Sequence, residues 1–292
     1  MERIWQWAWD RYGARYFWAA CAIAFPLLLP VYLIPSFVVV ALEQSSRYFE
    51  VAVVTAVAVG VQAYLVILPG AGRIRLIDRW AAGYDVDRQT ALEATYTRAR
   101  GATVRQLLGT PVWGAVLLIV VGVIAGATFS RLVQYGIVGA GFAAAVQLIE
   151  AHNAVEAIFR PPRIALVADT NMGDSLPRSK PSFATWSNLA VIGTASAFAC
   201  SGALLAAVFD WAEKAPVTPV IIGLALTLVF AVPITVGTVV SPSLQPIRDL
   251  AEGTKRVAAG DYSQRLPVVQ DDDFGALAAS FNRMQAGLAE RQ

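Results

Sequence analysis

The sequence contains few charged residues for its length. Only 15% of the residues are Asp, Glu, Lys or Arg, whereas 57% are hydrophobic and the mean hydropathy is +0.55. Soluble domains typically contain about 25% charged and about 45–50% apolar residues. This composition therefore excludes a single soluble globular domain. The apolar residues are grouped in blocks of about 20, the length at which a helix crosses about 30 Å of hydrocarbon. The pattern predicts a polytopic membrane protein.

The chain has one histidine and two cysteines, which leaves few groups for metal or covalent chemistry. Cys21 and Cys200 both lie in apolar stretches, so we expect free, buried thiols rather than a disulfide. His152 and Glu156 are i, i+4 neighbours, but two such groups are fewer than a structural metal site requires. We interpret His152 as an interfacial histidine. The sequence therefore predicts no catalytic, cofactor-binding or metal-binding residue in this chain.

Six apolar stretches are long enough to be membrane helices. The first contains three prolines, and we expect a kink there, which neighbouring helices tolerate in a bundle. The third and fourth are rich in glycine and alanine, which predicts close packing between these two helices. The predicted spans are 17–42, 50–69, 111–129, 132–149, 184–209 and 217–240.

The positive charges are distributed unequally between the two sides of these spans. Of the 23 lysines and arginines, 20 lie in the N-terminal segment, the long loops 70–110 and 151–183, and the tail that follows residue 240. Arg47, Arg131 and Lys214 occupy the short connectors on the other side. Because cytoplasmic loops carry the excess of positive charge, both termini are predicted to be cytoplasmic. The net charge of +2 argues against a nucleic-acid partner.

The predicted topology narrows the possible functions. The outward connectors are too short to form a sensor domain, so we expect any signal to be read by the bundle itself, from lipids or from a membrane-embedded ligand, or by a partner protein. The spans have almost no ionisable residues in their middles, although transporters and pumps usually need them. A small-solute transporter is therefore the weakest of the alternatives considered.

Residues 1–16 form a separate amphipathic segment. Trp5, Trp9, Tyr12 and Tyr16 recur at spacings of three and four, which places their rings on one face of a helix. Aromatic rings and arginines of this kind typically anchor a helix at the bilayer surface. We expect these four residues to be membrane-interface anchors.

Residues 241–292 have a different, mixed composition. In the first part, Ile247, Leu250, Thr254 and Val257 follow heptad spacing, and a second heptad pattern consists of Phe274, Leu277, Phe281, Met284 and Leu288. The first helix is predicted to start near Pro246 and to end at Gly260. The connector between them presents Leu266, Val268 and Val269, and acidic residues 271–273 are placed to cap the second helix.

This tail resembles a HAMP linker, the signal-relay module of bacterial chemoreceptors, histidine kinases and class III nucleotide cyclases. The resemblance rests on Pro246, the pair Gly260-Asp261, the connector residues 265–268, the acidic-glycine segment 272–275 and the FNRM segment 281–284. This sequence has Asp-Asp where the family usually has Asp-Glu. The resemblance implies two helices per chain and a parallel four-helix coiled coil in a homodimer. The residues expected to form the relay are Pro246, Ile247, Leu250, Val257, Gly260, Leu266, Val268, Asp273, Gly275, Leu277, Phe281, Met284 and Leu288.

Six spans followed directly by this module look like the membrane half of the actinobacterial, including mycobacterial, membrane adenylate cyclases. That resemblance implies an all-α anchor and sensor that holds and aligns two catalytic domains. ATP and two divalent ions, Mg or Mn, are expected only in a catalytic domain beyond residue 292, so we expect this chain to lack its output domain. The alternative is the membrane sensor half of a histidine kinase or chemoreceptor.

Overall fold

The computed structural model describes residues 2–67, 71–150, 153–167, 183–208, 241–269 and 273–290, together with four isolated positions between 221 and 229. Within these ranges the regular secondary structure is entirely helical, as the sequence predicts. A short 3₁₀ turn, Gly13–Arg15, joins the first two helices. The helices are α1 (Glu2–Tyr12), α2 (Tyr16–Leu42), α3 (Tyr48–Ile67), α4 (Ala71–Ala81), α5 (Arg88–Ala125), α6 (Phe129–Glu150), α7 (Asn153–Val167), α8 (Phe183–Val208), α9 (Ser241–Ala258) and α10 (Asp273–Ala289).

Four stretches of the described chain are long and apolar enough to cross a membrane. They are Arg3–Leu42, Tyr48–Leu65, Arg88–Ala125 and Phe129–Val167. The first and fourth contain the predicted spans 17–42 and 132–149, and the second and third overlap most of the predicted spans 50–69 and 111–129. Helix α8 coincides with the fifth predicted span, 184–209, although its described part is not among these four. The sixth, 217–240, falls almost wholly outside the described residues. The number of spans and the cytoplasmic position of the termini remain predictions.

The structure corrects the boundaries of the third and fourth predicted spans. Helix α5 ends at Ala125 because Gly126 adopts a left-handed conformation with φ of +93°, and α6 already begins at Phe129. The predicted end at residue 129 is therefore wrong. Helix α5 also begins well before the membrane segment. The Asp87 side chain caps it by accepting a hydrogen bond of 2.8 Å from the Thr90 amide.

The two long loops of the predicted topology are partly helical. Residues 70–110 include α4 and the first part of α5, and residues 151–183 include α7. Together with α1, these segments form a layer of short amphipathic helices at one end of the bundle. Ala8, Ile77 and Val155 from three of these helices are buried in one apolar cluster with Tyr16 and Phe17 of α2. This layer positions the site described below.

Helices α5 and α6 pack with almost no space between their backbones. A Cβ atom added to Gly114 would lie 2.5 Å from the Cβ of Ala143 and 2.6 Å from the carbonyl oxygen of Gly139. Real Cβ atoms essentially never approach other atoms so closely. The predicted close packing of these two glycine-rich helices is confirmed.

The N-terminal rings occupy positions that differ from the expectation. Trp5 and Tyr16 are buried in the protein, at 5% and 0% exposure, and the Tyr16 hydroxyl donates a 2.6 Å hydrogen bond to the Ile158 carbonyl. Trp9 stacks on Trp80. Because α4 and α7 cover this face of α1, Trp5 and Tyr16 contact protein, and their assignment as membrane anchors is wrong. Trp9 is partly buried, and its role as an anchor stays a prediction. Tyr12 remains exposed, as an anchor would be.

Candidate functional site

Helices α9 and α10 run in the same direction. Pro246 and Leu250, near the start of α9, line one small cavity together with Phe274 and Ala278, near the start of α10. Further along, a Cβ atom on Gly253 would lie 3.2 Å from the ring of Phe281. The two starts are therefore adjacent and the later parts are adjacent as well. This arrangement agrees with the parallel pair expected from the sequence.

The connector between these helices packs into their interface. Leu266 and Val268 are buried with Ala278, Ala279 and Phe281. Leu250 and Val257 of α9, partly buried, cover the same cluster. The predicted apolar contacts of the connector are all buried. Their exposed fractions are 4% for Leu266, 5% for Val268 and 2% for Val269. Leu266 and Val268 make their apolar contacts with α9 and α10, whereas Val269 makes its contacts with α5 and α7.

Asn282 fixes the connector through its backbone. Its side-chain oxygen accepts a hydrogen bond of 2.8 Å from the Leu266 amide, and its side-chain nitrogen donates one of 2.9 Å to the Leu266 carbonyl. Gln285, one turn later, donates to the carbonyl oxygens of Tyr262 and Gln264. Asn282 is 2% exposed, so these bonds are shielded from water. Asn282 belongs to the FNRM segment 281–284, and its sequence position alone predicts no contact with the connector.

Two glycines set the geometry of α9. Gly260 has φ of +82°, and the amide of Asp261 donates to the Arg256 carbonyl, which closes the helix end as predicted. A Cβ atom on Gly253 would lie 2.8 Å from the end of the Leu266 side chain, so a larger residue here would require that side chain to move. The start of α9 differs from the prediction. The helix begins at Ser241 and Pro246 lies inside it, buried at its second turn.

The heptad residues divide into two sets. Phe281 faces the connector and is buried with Leu266 and Val268, and Gly275 is buried as well. Asp273 is the first residue of α10 and is exposed. Leu250, Val257 and Phe274 are partly buried. The remaining four apolar heptad residues are exposed, and their exposed fractions are 50% for Ile247, 48% for Leu277, 51% for Met284 and 37% for Leu288. Leu244 is also exposed, at 40%.

Helix α7 contacts the connector through Arg163, whose side chain is completely buried. Its guanidinium forms an ion pair with Glu156 at 2.5 Å and donates 3.1 Å to the Thr95 hydroxyl and 3.0 Å to the Val269 carbonyl. It also lies 4.0 Å from the centre of the Tyr96 ring. One side chain thus joins α5, α7 and the connector. Buried arginines of this kind are stabilised only when paired and hydrogen-bonded.

A second ion pair joins α7 to α9. Arg160 contacts Asp249 at 2.6 Å, and both side chains are largely buried. Val269 adds an apolar contact because it is buried with Ala91, Leu92 and Leu166. We call these contacts, formed by Arg160, Arg163, Asp249 and Val269, the α7 junction.

The α7 junction was not predicted. Arg160 and Arg163 flank two prolines in a segment assigned to a cytoplasmic loop, where arginines only contribute to the count of positive charge. Glu156, considered as a partner of His152, is instead paired with Arg163. His152 itself lies outside the described residues. The described residues contain no group of three or more His, Cys, Asp or Glu side chains placed to bind a metal ion.

Comparison with known proteins assigns the C-terminal segment to a domain family. Residues 239–290 match the HAMP domain. Over 61 residues, the chain is 39% identical to a protein named methyl-accepting chemotaxis protein PctB from Pseudomonas aeruginosa. The aligned region covers 20% of this chain and 10% of that protein. Over 49 residues, it is 37% identical to a protein named signal transduction histidine-protein kinase BaeS from Escherichia coli. This alignment covers 17% of the chain and 10% of that protein.

These matches are local. The chain spans about a tenth of the length of the curated relatives that it matches. No solved structure matches the chain significantly. The chain therefore combines a HAMP domain with apolar helices of membrane-spanning length.

Proposed function

Because residues 239–290 form a HAMP domain, we propose that this chain is the membrane sensor and relay part of a dimeric signalling protein. The observation that carries the proposal is the α7 junction. There the buried Arg163 binds both Thr95 of α5 and the connector carbonyl of Val269. A displacement of the helical layer at the end of the bundle is thereby transmitted to the HAMP connector. The proposal includes the six spans predicted from the apolar stretches. It places both termini in the cytoplasm on the basis of the charge distribution.

The relay has two inputs in this proposal. The sixth span leads directly into α9, so its rotation or tilt repacks the heptad residues beginning at Pro246. The α7 junction is the second input, because it contacts the connector at Val269 and α9 at Asp249. A HAMP bundle with two packing arrangements of similar free energy converts either input into a different spacing of its C-terminal helices.

Dimerisation is supported by the exposed apolar face. HAMP domains generally act in dimers, and a second copy covers Ile247, Leu277, Met284 and Leu288, which are 37–51% exposed in one copy. Leu277, Met284 and Leu288 are separated by seven and four residues, the spacing of a coiled-coil seam. The face covered by the partner is thus distinct from the face that packs on the connector.

Disulfide cross-linking tests the dimer. The full chain is prepared in membranes with Cys21 and Cys200 replaced by serine, and Met284→Cys is then oxidised. We expect a cross-linked dimer because the two copies of residue 284 meet in the seam. Arg283→Cys is the matched control, because residue 283 is exposed but points about 100° away around the helix. Equal cross-linking of both variants, or of neither, contradicts the proposed seam.

A charge placed in the seam tests the relay. Leu277→Glu introduces two facing carboxylates in the dimer, and we expect at least about a tenfold loss of dimer, since like charges repel in a desolvated interface. Arg283→Glu adds a negative charge outside the seam and is expected to leave the dimer intact. Unchanged dimer and unchanged output in L277E would overturn the relay assignment.

The output that we propose is a class III adenylate cyclase domain following the HAMP domain. It is supported by the arrangement of α2, α3, α5 and α6, four apolar helices joined in pairs by turns of three to five residues. This arrangement resembles the membrane half of actinobacterial cyclases. Membranes containing the full gene product are expected to convert ATP into cyclic AMP with Mg²⁺ or Mn²⁺, two ions of which bind in the catalytic domain. Absence of cyclic AMP with an intact dimer would exclude this output.

A second output is favoured by the relatives. Both are signalling proteins, one named as a chemotaxis receptor and the other as a histidine kinase. In that case the full gene product incorporates phosphate from ATP on a histidine, or carries a chemoreceptor signalling helix. The same membranes, assayed for phosphohistidine, distinguish the kinase from the cyclase.

A further inference from the structure

A mainly apolar cavity of about 190 Å³ lies between the helical layer and the bundle. Its walls come from α1 to α7, and α7 supplies Val155, Ile158 and Phe159. Benzene occupies an engineered apolar cavity of about 150 Å³. This cavity therefore accommodates a hydrocarbon segment of at least about six carbon atoms.

Two amide oxygens in the cavity wall require donors. The Oε1 atoms of Gln62 and Gln147 are buried and have no hydrogen-bond partner among the described residues. The Gln62 nitrogen donates to the hydroxyl oxygens of Tyr32 at 3.0 Å and Thr110 at 3.2 Å. Gln147 is 5% exposed. A buried acceptor without a donor is destabilising, because the hydrogen bonds that it loses with water are not replaced.

A ligand that satisfies this cavity combines an alkyl chain with a hydroxyl group. The chain lies along the apolar wall, and the hydroxyl donates its one hydrogen bond to one of the two amide oxygens. A monoacylglycerol has a second hydroxyl that can donate to the other. Gln106 also lines the cavity, and its side-chain nitrogen can donate to an oxygen of the same head group. We propose that the cavity binds a single-chain lipid with a hydroxyl head, of the monoacylglycerol or fatty-alcohol type.

The cavity is connected to the HAMP domain through α7. Phe159 lines the cavity, and the centre of its ring lies 5.8 Å from the guanidinium carbon of Arg163. Arg163 in turn donates to the Val269 carbonyl in the connector. A ligand that displaces Phe159 therefore moves the α7 junction. That the lipid acts as a signal rests on the proposed function, whereas its binding does not.

Photolabelling of the full chain in phosphatidylcholine nanodiscs tests the binding. The probe is an octanol that carries a diazirine, and the labelled peptides are identified by mass spectrometry. We expect labelling of α2 around Phe17 and Leu28 and of α7 around Ile158. At equal membrane concentrations, 1-octanol is expected to compete about three- to tenfold better than methyl octyl ether, which lacks the donor. 1-Monooctanoylglycerol, used as a second competitor, distinguishes the glyceride from the simple alcohol.

Two variants connect the labelling to the cavity. Gln147→Leu removes one of the two unpartnered acceptors and is expected to reduce the difference between alcohol and ether. Gln134→Leu makes the same change at an exposed position of the same helix and is expected to preserve that difference. Ala24→Leu fills part of the cavity without removing a polar group and is expected to reduce labelling. Thermal unfolding of each variant identifies a folding defect.

The results separate the two proposals. The lipid site is overturned if labelling is spread over the lipid-facing surface, or if alcohol and ether compete equally. The cavity would then hold water rather than a lipid. The Met284→Cys cross-link, measured without ligand, still tests the relay in that case. A third outcome is specific labelling of the cavity while saturating 1-octanol or monooctanoylglycerol leaves the cross-link unchanged. This outcome would support the binding site and refute its role as a signal.

Discussion

The α5–α6 hairpin and the α7 junction join segments of this molecule in contrasting ways. Between α5 and α6 the contact is made by small residues, and the carbonyl of Gly139 lies where a side chain on Gly114 would be. At the α7 junction the contact is made by long cationic side chains, and Arg163 reaches three different segments. The first contact depends on the absence of side chains, and the second depends on their length and charge.

This difference indicates which part can move. Closely packed backbones have one arrangement, because any shift produces either a clash or a void. Hydrogen bonds from a guanidinium are directional but exchangeable, since water or another acceptor can replace a carbonyl oxygen. We therefore regard the hairpin as the fixed frame of the membrane part and the α7 junction as the place where its state is transmitted.

The largest expected effect comes from a side chain in the hairpin. Gly139→Leu introduces a side chain against the backbone of Gly114, and we expect α5 and α6 to separate, with a loss of at least about 3 kcal/mol from the free energy of unfolding. Gly141→Leu is the matched control, because a Cβ atom there meets nothing within 4 Å. Thermal unfolding in detergent measures both. Equal unfolding temperatures would contradict the fixed frame.

Loss of the buried arginine is expected to have the next largest effect. Arg163→Met leaves Glu156 without its ion-pair partner and removes the donor to Val269, and breaking a buried pair costs about 3–5 kcal/mol. We expect faster amide hydrogen exchange in residues 261–269 with little change in α5 and α6 near Gly114. Arg248→Met, at an exposed position, is the control. Unchanged exchange in the connector of R163M would show that the junction does not hold the HAMP domain.

The sequence predicts the hairpin better than the junction, for a physical reason. Glycines at helical spacing in apolar stretches directly indicate close packing, because small size is itself the contact. The HAMP helices are likewise readable, since heptad spacing and the Gly260 stop are local patterns. Arg160 and Arg163 acquire their partners Asp249 and Val269 only when the chain folds, across 89 and 106 residues. No local pattern distinguishes them from arginines exposed to solvent.

The same reasoning explains the N-terminal error. The spacing of Trp5, Trp9 and Tyr16 correctly indicates one aromatic face, but periodicity does not distinguish a face covered by protein from one covered by lipid. Helices α4 and α7, which cover this face, lie in segments interpreted as loops. An error in one element thus led to an error in another.

A charge exchange at the second ion pair tests whether the α7 junction acts by charge. Arg160→Asp places two carboxylates together and is expected to weaken docking of α9 by about 1–3 kcal/mol, since both side chains are only partly exposed. The double variant Arg160→Asp with Asp249→Arg restores opposite charges and is expected to recover at least half of the loss. Hydrogen exchange in α9 measures both. No recovery in the double variant would mean that shape, rather than charge, determines this contact.

The smallest effect concerns the end of α9, where a turn has its own pH dependence. The Asp261 carboxylate accepts hydrogen bonds from the Ser263 hydroxyl at 2.6 Å and the Ser263 amide at 2.9 Å, and these bonds lower the pKa of Asp261 below its usual value. Because the pKa is lowered on folding, the turn is stabilised above the unfolded pKa of about 3.9 and loses this contribution as the pH falls through the folded pKa.

The amide resonance of Ser263 in serine-labelled protein reports on this equilibrium. We expect it to titrate with a midpoint below about 3.9, the ordinary pKa of an aspartate, and to lose that titration in Asp261→Asn. The amide of Ser280, which lies within α10, is the internal control and is expected not to follow the same titration. Since Asp261 is fully exposed, the change should remain local and leave the exchange rates at the α7 junction unaltered. A Ser263 midpoint at or above the ordinary value, or a concerted loss of the junction at the same pH, would mean that the end of α9 is coupled to the membrane part rather than independent of it.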